Sequence, residues 1–125
     1  MARTPDYFKG KSIIITGAGS GIGRAAAVIF AREGAGVLCA DIDEESARAT
    51  ARMIEAAGGK ASACRTDVTS RAQVREMVRL GIATFGRVNF LFNSAGSALR
   101  RSKFLDIDDD LFNRTYDLNV KGTFF

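Results

Sequence analysis

Apolar runs and amphipathic stretches alternate along the chain. Residues 13–15 are all isoleucine, Val37-Leu38-Cys39-Ala40 is apolar throughout, and residues 88–93 are nearly so. Short runs that are apolar at every position predict strands buried on both faces. The reading places strands at 11–16, 36–41, 60–66 and 88–93, with helices between them. The first helix spans 21–33 and is closed by Gly34. The second is N-capped by Asp43, carries Glu44 and Glu45 at its positive end, and stops at Gly58-Gly59. Ser70 and Gln73 form a capping-box pattern for a third helix that ends before Gly86. Gly81 inside that helix is expected to cost about 1 kcal/mol relative to Ala. After a loop, a fourth helix is predicted from about Asp108. Strands alternating with helices predict one α/β domain over residues 1–125, a parallel sheet covered on both faces. Ligands bind such sheets beyond the carboxyl ends of the strands.

The link from the first strand to the first helix is Thr16-Gly17-Ala18-Gly19-Ser20-Gly21-Ile22-Gly23. A strand, a glycine-rich turn and a helix in that order present backbone N–H groups and a positive helix end to a phosphate. Glycines let the backbone turn tightly and approach a pyrophosphate closely. A tight turn without a ligand is the plainer reading of the same residues.

The spacing G-x-x-x-G-x-G differs from the common G-x-G-x-x-G fingerprint. Thr16-Gly17-x-x-x-Gly21-Ile22-Gly23 resembles the signature of the short-chain dehydrogenase/reductase family. Asn93-Ser94-Ala95-Gly96 is similar to that family's Asn-Asn-Ala-Gly motif, and Leu118-Asn119-Val120-Lys121-Gly122-Thr123 to its asparagine-bearing helix. The three motifs stand in the family's order and span nearly the whole chain. The resemblance implies a Rossmann-type doubly wound sheet with strand order 3-2-1-4. Its implied activity is hydride transfer between an alcohol or ketone and NAD. Family members continue with a strand carrying a catalytic Ser, then Tyr-x-x-x-Lys, then a substrate-covering region. Tyr7 and Lys11 match Tyr-x-x-x-Lys formally but precede the first strand, and Tyr116 has Val120 at that offset. The segment is therefore expected to be the NAD-binding half, truncated after the fourth βα unit and inactive alone. A fourth strand without its neighbour, and a helix ending in Phe124-Phe125, lead to an expectation of association, as a homo-oligomer or with a complementary segment.

By the same resemblance, Gly17, Ser20, Gly21, Ile22 and Gly23 wrap the pyrophosphate and adjoining ribose. Asp41 accepts the adenosine ribose hydroxyls and repels a 2′-phosphate, which favours NAD over NADP. Ser20 and Ile42 stand where NADP-using members often carry Arg or Lys. Asp67 and Val68 flank the adenine, with a capping role as the alternative for Asp67. Asn93, Ala95 and Gly96 pass the cofactor ribose. Ser94 replaces the family's second Asn, which weakens an implied bracing bond. Asn119 is the only member of the catalytic tetrad in the chain. The substrate remains open.

Composition narrows the alternatives. At 46% hydrophobic and 26% charged, the chain is ordinary for a globular protein. No apolar run approaches the roughly 18 residues of a membrane span and no secretory signal pattern opens the chain, so a cytoplasmic location is expected. Residues 1–9 read as a short lead-in. The chain has no His and no Cys-x-x-Cys, which speaks against a metal site. Cys39 and Cys64 are expected to be buried, inert thiols. The net charge of +4 is scattered, and Arg100-Arg101-Ser102-Lys103 is its densest cluster, expected to be a solvated loop. Two other classes fit the alternation: a non-catalytic nucleotide-binding or scaffolding module, and an S-adenosylmethionine methyltransferase, against which the paired motifs speak.

Overall fold

The structure, a computed structural model, describes residues 7–125. Most of the expected lead-in lies outside the described residues. Four parallel strands, β1 (Ser12–Thr16), β2 (Gly36–Asp41), β3 (Lys60–Arg65) and β4 (Phe90–Asn93), form one sheet in the order β3-β2-β1-β4. Three helices cross between them: α1 (Gly21–Arg32), α2 (Glu44–Ala56) and α3 (Arg71–Phe85). A fourth, α4 (Asp109–Tyr116), follows β4 after a 3₁₀ turn at Phe104–Asp106. The fold is the expected Rossmann-type arrangement.

The all-apolar strands follow from two separate cores. Ile13, Ile15, Val37 and Cys39 face α1 and α2, meeting Ala27, Ala31, Ala47, Ala51 and Ile54. Ile14, Leu38 and Ala40 face the other way, onto Val74 and Met77 of α3. Side chains alternate along a strand, so β1 needs an apolar residue at every position to serve both layers. Ile13, Ile14 and Ile15 are each no more than 2% exposed. Burying each contributes about 1.5–3 kcal/mol. The chain crosses from one face to the other between α2 and α3, so β1 and β4 flank the point where the winding reverses.

Several boundaries and bonds differ from expectation for local reasons. β4 begins at Phe90 rather than at 88, because Asn89 Oδ1 accepts the Ser12 N–H at 3.0 Å, a side-chain bond in place of a ladder bond. Val88 instead packs on the second core. Thr66 leaves β3 but donates its N–H to Asp41 O at 2.9 Å. Ser70 caps α3 through the Gln73 N–H, yet the capping box is not reciprocal. The Ser70 N–H is taken by Asp67 O, so Gln73 Oε1 reaches the Asp67 N–H instead, at 2.8 Å. Gly81 admits close helix–sheet contact: a Cβ there would lie 3.1 Å from side-chain carbons of Ile14 and Val88. Tyr7 and Lys11 do meet, with the ammonium 4.0 Å from the ring centre, but at the amino end of β1.

Past α4 the helix loosens into a π turn, Asp117–Lys121, and then recovers one α-helical turn, Gly122–Phe124. The two terminal phenylalanines part company. Phe124 is 78% exposed. Phe125 packs against the second core, under the Arg71 guanidinium at 4.3 Å. β4 is an edge strand with Leu91 exposed. No helix among the described residues is long and apolar enough to cross a membrane.

The two thiols lie on opposite faces of the sheet. Burial pushes Cys39 up to about 12, with Cys64 adding to the effect. Burial also raises Cys64, which is only half-buried, and its contact with Thr66 opposes the rise. Only a thiolate alkylates readily. Iodoacetamide at pH 8 is expected to label Cys64 slowly and Cys39 only upon unfolding, giving two separated steps by intact mass. Simultaneous labelling of both in the folded protein would contradict this placement.

Candidate functional site

A cleft of about 640 Å³ opens beyond the carboxyl ends of the strands. Its floor is the glycine turn, with Gly17, Ser20, Gly21 and Ile22. Asp41 and Ile42 after β2 form one wall, Asp67 and Val68 after β3 the next, and Ala95 and Gly96 after β4 the opposite one. Ten of the twelve residues expected to meet a cofactor thus surround one space. The other two do not line it. Gly23 is buried under the turn, and Asn93 is the exposed last residue of β4, in register with Thr16.

The turn can exist only without side chains at two of its positions. A Cβ on Gly23 would fall 2.1 Å from Gly17 O, and one on Gly17 would fall 2.9 Å from the Ala95 backbone. Gly17 also has φ of 66°, in the left-handed region. The ends of β1 and β4 are therefore packed backbone to backbone. Thr16 fastens them: its Oγ1 accepts the N–H groups of Ser94 and Ala95 at 3.2 and 3.1 Å. Thr16 thus braces the segment after β4 through the Ser94 main chain, a bond that does not depend on the side chain at that position.

The helix ends differ in a telling way. α2, α3 and α4 each have a side-chain cap, Asp43 to Ser46 N, Ser70 to Gln73 N and Asp108 to Leu111 N. α1 has none, although Ser20 occupies its N-cap position. The first N–H groups of a helix have no intrahelical partner. At α1 they open on the cleft with the positive end of the helix dipole. Ile22 stands beside them 75% exposed, an apolar side chain that the core does not use.

Asp41 uses both carboxylate oxygens within the protein. Oδ2 accepts the Gly19 N–H at 2.9 Å and Oδ1 the Asp43 N–H at 3.0 Å. Each oxygen keeps acceptor capacity, since a carboxylate offers about four lone-pair sites. The capping alternative for Asp67 does not hold: Ser70 is the N-cap of α3, and Asp67 Oδ1 instead accepts from Thr69 N and Thr69 Oγ1, closing the turn before the helix. Asp43 is held below the usual carboxylate range by the Ser46 hydroxyl and N–H.

Asn119 lies beside the cleft, not in its lining. Its Nδ2 donates to Ser97 O at 2.8 Å and Thr115 O at 2.9 Å, and its Oδ1 accepts the Ser97 N–H at 3.2 Å. It clamps the loop after β4 onto the π turn. A second cavity, about 430 Å³ and mostly apolar, lies on its far side between that loop and α4. Sequence reasoning did not assign Thr16, Thr66, Ser97, Leu99 or Leu118 to the site. The last four line the cleft, and Leu99 adopts a left-handed φ of 58°. Arg100 borders the second cavity, while Arg101 and Lys103 are exposed. No group of His, Cys, Asp and Glu among the described residues could hold a metal ion.

A parallel sheet with an uncapped helix over a glycine turn, opening at the switch point, defines the dinucleotide-binding class of α/β proteins. Residues 11–125 match the short chain dehydrogenase family throughout, and the chain belongs to that family. It is 41% identical over 117 residues to an uncharacterized oxidoreductase of Thermotoga maritima, covering 94% of this chain and 45% of that protein. It is 39% identical over 115 residues to a 7alpha-hydroxysteroid dehydrogenase of Escherichia coli K12, covering 92% of this chain and 44% of the relative. A solved structure of 7alpha-hydroxysteroid dehydrogenase complexed with NADH and 7-oxo glycochenodeoxycholic acid superposes with a TM-score of 0.88. Its identity is 39%, over 94% of this chain and 45% of that one. The chain thus spans about half the length, or slightly less, of the relatives it matches.

Gly23→Ala is expected to lower stability by about 1–3 kcal/mol through overpacking against Gly17 O. Urea unfolding measures this, and an unchanged midpoint would show that the turn can yield.

Proposed function

We propose that this chain is the cofactor-binding part of an NAD-dependent dehydrogenase that interconverts an alcohol and a ketone. The observation that carries the reading is the uncapped N-terminus of α1 over the cleft. Its N–H groups and Gly21 receive the pyrophosphate. At Gly21, with φ of 52°, a Cβ would meet nothing within 4 Å, so the backbone is open to a ligand there. Asp41 takes the adenosine ribose hydroxyls on its remaining lone pairs. Asp67 and Val68 border the adenine, Ile42 covers it, and Asn93, Ala95 and Gly96 lie along the second ribose. Bound nicotinamide supplies the hydride acceptor or donor. Asn119 serves the reaction by holding the loop that passes that ribose. The relative solved with NADH supports a nicotinamide dinucleotide as ligand.

NAD is preferred over NADP on this reading, because a 2′-phosphate would sit beside the Asp41 carboxylate with no cation at Ser20 or Ile42. Like charges in that position cost about 1–3 kcal/mol, or roughly five- to a hundredfold in affinity. Titration of NADH and NADPH into the protein, followed by nicotinamide fluorescence, tests this. Tighter NADPH binding would refute the assignment. In the same cuvette a panel of ketones should give no NADH consumption. Within these 125 residues no Tyr-x-x-x-Lys follows the fourth strand to donate a proton.

Substrate choice is the business of residues beyond this segment on the same reading, and the cytosol is the compartment proposed. The open edge of β4, with Leu91 exposed, and the exposed Phe124 favour association. Light scattering is expected to give a mass above 13.4 kDa. A persistent monomer at high concentration would refute association.

A further inference from the structure

The proposed cofactor turn rests on a single peptide unit that is gripped from both sides. The carbonyl of Ala18 accepts the Thr50 hydroxyl at 2.8 Å, and the N–H of Gly19 donates to Asp41 Oδ2 at 2.9 Å. In a trans peptide the C=O and the following N–H point in opposite directions. Thr50 and Asp41 therefore fix the plane of the Ala18–Gly19 peptide as two ends of one line. Ala18 N–H adds a third restraint through Ala40 O at 3.1 Å.

Thr50 is fully buried on α2, 32 residues from Ala18. Its oxygen also receives the Arg24 Nε–H at 3.0 Å, while Arg24 Nη2 reaches Ser46 O at 3.5 Å. A hydroxyl has one proton to give. Ser46 O, at 3.2 Å, is the more distant acceptor, so the proton goes to Ala18 O. A cationic donor on the oxygen strengthens the bond that the hydroxyl makes in turn. The chain Arg24, Thr50, Ala18–Gly19, Asp41 thus runs from α1 through α2 into the carboxylate at the end of β2. Ser46 closes the other side: a Cβ on Gly19 would lie 2.6 Å from Ser46 Cβ.

We infer that Thr50 and Arg24 are positioning residues for the dinucleotide, aiming the Asp41 carboxylate by holding the peptide it is bonded to. Neither lines the cleft. The inference rests on the cofactor reading above and adds a specific dependence to it. Dinucleotide affinity and the choice between NAD and NADP both run through a buried threonine on the far side of the turn. Loss of the hydroxyl frees the Gly19 peptide to rotate, and Asp41 loses the geometry with which it accepts a ribose diol and repels a phosphate.

Thr50→Val removes the donor at nearly constant volume, and Arg24→Met removes the cation at a partly exposed site while keeping an unbranched apolar stem. Both are to be titrated with NADH and NADPH well below their unfolding temperatures. Each variant is expected to bind NADH about tenfold more weakly and to narrow the NADH-to-NADPH affinity ratio about threefold, the scale of one lost buried hydrogen bond. Thr50→Ser is expected to restore both. In the cofactor-free protein, hydrogen exchange of the Gly19 N–H should accelerate in Thr50→Val and Arg24→Met. A lowered unfolding temperature with unchanged affinity ratio and unchanged Gly19 exchange would overturn the inference and leave the threonine a packing residue. If Thr50→Val does not fold, Arg24→Met decides by the same readouts. If the parent protein binds neither dinucleotide, the cofactor reading fails, and Gly19 exchange alone then tells whether the grip on the peptide is real.

Discussion

The working end of this fold depends on the ends of β1 and β4 meeting backbone to backbone. Thr16 is the last residue of β1, and its hydroxyl oxygen accepts two consecutive amides from the segment after β4. Gly17 follows at once, with room beside Ala95 for a hydrogen but not for a carbon. Those contacts set the distance between the glycine turn and the β4 loop, and so the width of the cleft. Behind them the ladder pairs Thr16 with both Ala40 and Asn93. Apolar burial on both faces of β1 keeps that ladder rigid, so errors in spacing cannot be absorbed by tilting the strand.

Polar satisfaction around the cleft is selective. The Asp41, Asp67 and Asn119 side chains all hold backbone groups, each with a named partner in the protein. What remains open is the helix end that no side chain covers. A turn built so tightly around an uncapped terminus is poorly explained as mere chain reversal, because capping Ser20 against its own helix would have been the simplest local solution.

Much of this was legible from sequence, for identifiable reasons. Isoleucine at every position of β1 could only mean two covered faces. Asp43 and the Gly17–Gly23 spacing are local signals, read within a few residues. The features that escaped are those whose cause lies far along the chain. Thr16 and Thr50 look like ordinary strand and helix residues until tertiary contacts 78 and 32 residues away give their hydroxyls partners. Gln73 satisfied the capping-box pattern but found a better-placed donor once Ser70 N–H was occupied. Asn119 was singled out by its neighbours in sequence, yet its contacts show a clamp on Ser97, and the π turn that presents it leaves no compositional mark.

That π turn is in effect one residue more than an α-helix needs to cover the same rise. Each residue advances a helix by about 100°. Within the π turn Leu118 lines the cleft while Asn119, next to it, reaches back to the loop. The π turn also absorbs its extra residue locally, so the turn after it keeps the rotational phase of the helix before it. Deleting a single residue between Asp117 and Lys121 would close the bulge and leave Phe125 beneath Arg71 on the α3 core, whereas a further residue with no bulge to absorb it would swing the following turn through about 100°. The loop clamp and the seating of Phe125 thus stand on either side of one insertion, and the first can be retuned without resetting the second.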